Sequence, residues 1–180
     1  MSNQKSNVFA IGVMFLLFFM IAFVTNFAGS MGVIVQNQFG ASNAMAQLGT
    51  LANFIAYACM GIPGGLILKR RGYKFTSLLA AAVGFVGVAI QFASGYAESF
   101  AVYVLGAFVA GFSMCLLNLV VNPMLNTLGG GGNRGNQLVQ VGGSFNSLMG
   151  TAVIFLTGVF VPNIVDAKIS QVFPLMFIAL

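Results

Sequence analysis

The chain has 180 residues, 59% of them hydrophobic, with seven basic side chains, two acidic ones and no His or Trp. A soluble domain carries roughly 25% charged residues, so a charged share of 5% excludes a water-exposed globular surface and points to an integral membrane protein of all-α class. The net charge of +5 sits in short segments between apolar runs, which is an orientation signal and not a nucleic-acid surface.

A transmembrane helix needs about 20 mainly apolar residues. The sequence predicts such spans over 8–36, 45–68, 75–93, 100–127 and 137–161, with a sixth, incomplete run over 169–180. A helix stopping mid-span leaves backbone groups unsatisfied in lipid, so the expectation is a chain cut from a longer protein. The N-terminal run has no small-residue cleavage site behind it and reads as a retained span. Alternating the spans puts Lys5, the cluster Lys69, Arg70, Arg71 and Lys74, and Arg134 on one side. Glu98, Asp166 and Lys168 fall on the other. Short basic loops stay cytoplasmic, which predicts a cytoplasmic N-terminus in an inner (plasma) membrane.

Taken in chain order, the spans carry uncharged polar stripes. The first offers Asn26, Ser30 and Asn37; the second Gln47, Thr50, Asn53 and then Tyr57. The third is rich in Gly and Ala, which allow close helix approach. The fourth spaces Asn118, Asn122 and Asn126 by four, one face of a helix. The fifth aligns Gln137, Gln140, Ser144, Ser147 and Thr151 at spacings of three and four, with Asn146 one position round. Amides and hydroxyls supply donors and acceptors together, which suits a neutral, many-hydroxyl solute. Any single one of them also serves as interhelical glue, but four helices carrying such faces point to a wet central cavity.

Other chemistries find little footing. "GGGGNRGNQ" lacks the GK[ST] ending of a phosphate loop and follows no strand. Without His, and with Cys59 and Cys115 unaccompanied inside apolar runs, no metal cage or redox pair is expected. Both cysteines read as small core residues. Glu98 and Asp166 lie in separate loops and form no acid–base pair, so no catalytic residue and no cofactor is assigned.

The stretch "GGLILKRRGYK", Gly64 to Lys74, resembles the signature between the second and third helices of the major facilitator superfamily. Gly65, Arg70, Gly72 and Lys74 match it, whereas Lys69 replaces its acid and Tyr73 the first of its basic pair. The order and spacing of "IPGGLILKRRGYK", "NPMLNTLG" and "FNS" are similar to the L-fucose/proton symporter group of that superfamily. The resemblance implies two six-helix halves, of which this is the N-terminal one, and a midplane sugar site worked by alternating access. It also implies a cytoplasmic gating loop at Gly65, Lys69, Arg70, Gly72 and Lys74, with a latch contact altered by the missing acid. Gly29 falls where the group has an Asp, Asn118 where it has a Glu, and Gly143 where it has a Gln. Asn146 matches a polar site residue, and Asn26 matches more weakly.

The expectation is therefore a secondary transporter of a small neutral, hexose-like sugar, binding through Asn26, Asn118, Asn122, Gln140, Ser144 and Asn146. Its partners are the sugar, membrane lipid and a missing C-terminal half, with no nucleic acid. The rival readings are a transporter of another small solute and a non-transporting sugar sensor. No span contains an acid or base away from its ends, so the expectation places proton coupling in the other half or replaces it by uniport or another ion.

Overall fold

The computed structural model describes residues 2–40 and 42–160, and the expected segment 169–180, with Asp166 and Lys168, lies outside them. The described residues form helices joined by short turns: α1 Ser2–Phe39, the single turn α2 Asn43–Ala46, α3 Leu48–Ala97, α4 Phe100–Leu128 and α5 Gly132–Phe160. Four helices, α1, α3, α4 and α5, are long and apolar enough to cross a membrane. Ser42 caps α2, its hydroxyl accepting from the Met45 amide at 3.3 Å.

The sequence suggests a loop across 69–74, but helix runs through the basic cluster to 71 and resumes at 73. Only Gly72 departs, at φ 77° and ψ 176°. This corner of backbone space is open essentially to glycine alone, so one residue turns the chain and the cations need no loop of their own. The hydroxyl of Thr76 then donates to the Gly72 carbonyl at 2.8 Å, holding the first turn after the reversal.

Neighbouring residues give the helix directions. Going up the first segment of α3, Gly49 lies against Tyr103, Asn53 against Gly111 and Gly64 against Leu116, so segment 48–71 runs parallel to α4. Along the second, Gly84 meets Ser113, Gly87 meets Ala110 and Gln91 meets Gly106, so segment 73–97 runs antiparallel to α4. The long α3 is thus a hairpin of two crossings. Helix α5 returns antiparallel to α4, with Gly135 against Asn126 near the turn, and Phe18 and Asn26 of α1 rest on Gly142 and Gly150. This arrangement puts the Gly72 reversal, Arg134 and the start of α1 at one end of the bundle, and Glu98 at the other.

Helix α4 is the central post, with Tyr103, Leu116, Val120, Val121 and Leu125 almost fully buried. Lipid offers no hydrophobic drive between helices, so close backbone approach has to supply the contact. At Gly111 a Cβ atom would collide with the Asn53 carbonyl, so glycine lets the two backbones touch. Met14, Phe18, Ile21, Ala80, Met114, Leu117, Val121 and Leu125 form an apolar cluster toward the Gly72 end. Phe9, Ile62, Leu78 and Phe155 project outward, as lipid-facing side chains do. Of the two cysteines only Cys115 is core; Cys59 is exposed, on the outward face of α3. The molecule is a multi-pass membrane helix bundle.

Candidate functional site

Four helices line a half-open cavity of about 280 Å³. Ile21 and Thr25 reach it from α1, Thr50, Asn53, Phe54 and Tyr57 from α3, Met114 and Asn118 from α4, and Asn146 from α5. At about 1.5 Å of rise per residue, Tyr57, Asn118 and Asn146 lie roughly 15–22 Å from the helix ends at the Gly72 side. In a hydrocarbon layer about 30 Å thick, that is near the middle. The apolar cluster lies on the Gly72 side of the cavity. Met14 and Phe18 precede Ile21 on α1, and Val121 and Leu125 follow Asn118 on α4.

Met114 ties the walls together. Its thioether sulfur accepts from Thr25 Oγ1 and from Asn53 Nδ2, each at 3.7 Å. Its carbonyl accepts from Asn118 Nδ2 at 3.0 Å. The single Thr25 hydroxyl proton is shared with the Ile21 carbonyl, which at 2.7 Å is the closer acceptor. A thioether is a weak acceptor, so the buried Asn53 amide is held loosely by its sulfur contact. Across the cavity, the Asn146 side-chain oxygen Oδ1 is buried without a hydrogen-bond partner. Leaving a buried acceptor unpaired costs about 1–3 kcal/mol. The lining thus combines a weakly held donor, an unpaired acceptor, a phenol and hydroxyls, and carries no carboxylate, ammonium or guanidinium group.

The structure brings together two of the six sequence-predicted binding residues, Asn118 and Asn146. Asn26 stands beside the cavity residue Thr25, but its amide donates to the Ala22 carbonyl at 2.8 Å and packs on Gly150. Asn122 is half-buried one turn from Asn118 and does not line the cavity, and Gln140 and Ser144 are exposed on α5. In the basic segment, Lys69, Arg70 and Lys74 are exposed, Gly65 is half-buried and Gly72 makes the reversal. Gly143 faces open space.

Thr50, Asn53 and Tyr57 were legible as a stripe at offsets of three and four residues. Thr25 and Met114 were not, because one residue step turns a helix by about 100° and only packing decides whether Thr25 or Asn26 faces inward. A methionine amid an apolar run gives no signal of its own. Among the described residues no group of three or more metal-ligating side chains occurs.

No protein-family model matches the chain. It is 28% identical over 152 residues to a glucose/galactose transporter of Brucella abortus, a match covering 84% of this chain and 36% of that protein. It is 23% identical over 164 residues to the L-fucose-proton symporter of Escherichia coli, covering 90% of this chain and 37% of that one. The chain therefore spans little more than a third of the length of the curated relatives it matches. The crystal structure of the Escherichia coli fucose:proton symporter superposes with a TM-score of 0.69 at 20% identity, over 93% of this chain and 46% of that one. The relatives are transporters and not enzymes, and the chain resembles a glucose/galactose transporter and an L-fucose-proton symporter in sequence and the fucose:proton symporter in fold.

Proposed function

We propose that the chain is the N-terminal half of a secondary transporter that carries a small neutral, hexose-like sugar across the inner membrane by alternating access. The observation that carries this reading is the central cavity of uncharged amides and hydroxyls where α1, α3, α4 and α5 converge, with Asn118 and Asn146 on facing helices. A hexose presents hydroxyls that both donate and accept. The Asn146 oxygen offers an acceptor, the Asn53 amide a donor freed from sulfur at little cost, and Phe54 and Tyr57 aromatic faces for the ring's C–H edges.

The apolar cluster between Met14 and Leu125 would separate the sugar from the Gly72 end of the bundle. A second half, facing the exposed side of α5 where Gln140 and Ser144 sit, would complete the site, and the N-terminus would be cytoplasmic. The cavity lining holds no carboxylate or basic group, so a symported proton would bind in that second half.

The test is uptake of labelled hexoses by vesicles holding the protein from its complete reading frame, with and without a proton gradient. Sugar-specific, saturable uptake is expected. Absence of uptake for every hexose would overturn the reading. Uptake that collapses without the gradient would place the titrating group in the other half, and uptake indifferent to it would mean uniport.

A further inference from the structure

A second concavity lies at the Gly72 reversal, away from the central cavity. It measures about 370 Å³ and is lined by Leu66, Ile67, Arg70, Arg71, Phe75 and Leu79. Its two halves differ in chemistry. At the reversal stand two exposed guanidinium groups, flanked by the exposed cations of Lys69 and Lys74. One helical turn further in, about 6 Å at 1.5 Å per residue, Leu66 and Leu79 form an apolar wall on both arms of the hairpin. Arg71 is not a free tether. Its guanidinium lies 5.5 Å from the centre of the Phe75 ring, a cation–π distance that holds it at the groove.

Among the described residues no acidic side chain pairs with these cations. Glu98 is the one acidic residue among the described residues, and it caps the opposite end of segment 73–97. In a membrane, the groove would place fixed positive charge at headgroup depth and apolar surface immediately beneath it. A phospholipid has the same layout, a phosphodiester above acyl chains. Arginine is suited to phosphate because its planar fork donates two parallel hydrogen bonds.

We propose that the groove between the two arms of α3 binds one anionic phospholipid of the adjoining leaflet. Its phosphodiester is held by Arg70 and Arg71, and its acyl chains lie along Leu66, Ile67, Phe75 and Leu79. The inference rests on the charge and shape of this hairpin and does not depend on the sugar reading. Lys69, exposed beside Arg70 and Arg71, adds to the attraction for the lipid phosphate.

The test uses the complete protein reconstituted in vesicles of phosphatidylglycerol and phosphatidylethanolamine at 1:3, with the lipid retained after mild extraction counted by native mass spectrometry. The wild type is expected to retain phosphatidylglycerol selectively. Arg70→Gln with Arg71→Gln is expected to lower that selectivity roughly tenfold, since each basic residue near a membrane surface adds a sizeable attraction to anionic lipid. Arg134→Gln, at the same end of the bundle but outside the groove, is expected to leave it unchanged. Phe75→Leu, which keeps the apolar wall but removes the ring under Arg71, is expected to weaken retention in part.

Equal losses from Arg134→Gln and from the groove variants would reduce the effect to general surface charge and overturn the proposal. Unchanged selectivity in the double variant would do the same. Displacement of the retained lipid by millimolar inorganic phosphate would assign the arginines to a soluble anion instead.

Discussion

Ser113 of α4 donates its hydroxyl to the Ala80 carbonyl of α3 at 2.6 Å, a hydrogen bond between two membrane-crossing segments that run in opposite directions. The contact is possible because Gly84, one turn along α3, lacks the Cβ that would meet the same hydroxyl at 2.6 Å. Ser113→Ala removes the bond while leaving the small residue the interface needs. Interhelical bonds of this kind are worth about 1 kcal/mol or less. The expected result is a slightly lower thermal midpoint in detergent, with hexose uptake per folded molecule unchanged. A large loss of uptake at intact stability would move Ser113 from packing into transport.

Gly72→Ala tests the hairpin. The φ of 77° and ψ of 176° cost a side-chain-bearing residue about 1–3 kcal/mol. The space beside Gly72 is open, so the penalty is conformational and not a clash. Lower yield of inserted protein is expected, and Gly65→Ala, at a helical glycine also facing open space, serves as the matched control. Equal yields for the two variants would show that the reversal does not require glycine.

Asn146→Ala separates stability from binding. The side-chain oxygen is buried and unpaired, so removing it relieves a cost instead of adding one. The variant should be at least as stable as the wild type, while half-saturating sugar concentration rises about tenfold or more. A marked fall in thermal midpoint would mean that the amide holds helices together.

Asn118→Leu should abolish hexose uptake with membrane insertion intact. Its amide donates to the Met114 carbonyl within the same helix, so its loss leaves no interhelical contact broken by that bond. Leucine then puts apolar volume where a sugar hydroxyl would sit. Normal uptake by this variant, measured in the same vesicles, would remove Asn118 from the site.

Charge reversal of Lys69, Arg70, Arg71 and Lys74 to Glu should alter topology or transport rate and leave sugar preference unchanged. Cysteine-accessibility labelling at the two bundle ends reports the topology, and competition among unlabelled hexoses reports preference. A changed substrate profile would link the reversal directly to the sugar site.

The membrane-spanning character of the chain was legible without coordinates, because a helix in lipid must satisfy its own backbone and bury no charge. That constraint is local and shows in the run lengths. Asn118 and Asn146 were also legible as cavity candidates, since the cost of a polar group at mid-span is visible in one dimension. The side chosen by each polar residue was not. Thr25 and Asn26 are neighbours in sequence, yet only Thr25 lines the cavity, and the packing of Asn26 on Gly150 decides it. Met114 collects Thr25 from α1 and Asn53 from α3, a convergence that exists only once the helices are assembled. Gln140 and Ser144, aligned with the polar stripe of α5, remain exposed in this bundle. Periodicity thus names the faces of single helices, whereas which faces meet depends on long-range contacts such as Gly111 against Asn53, where the missing Cβ sets how closely two backbones approach.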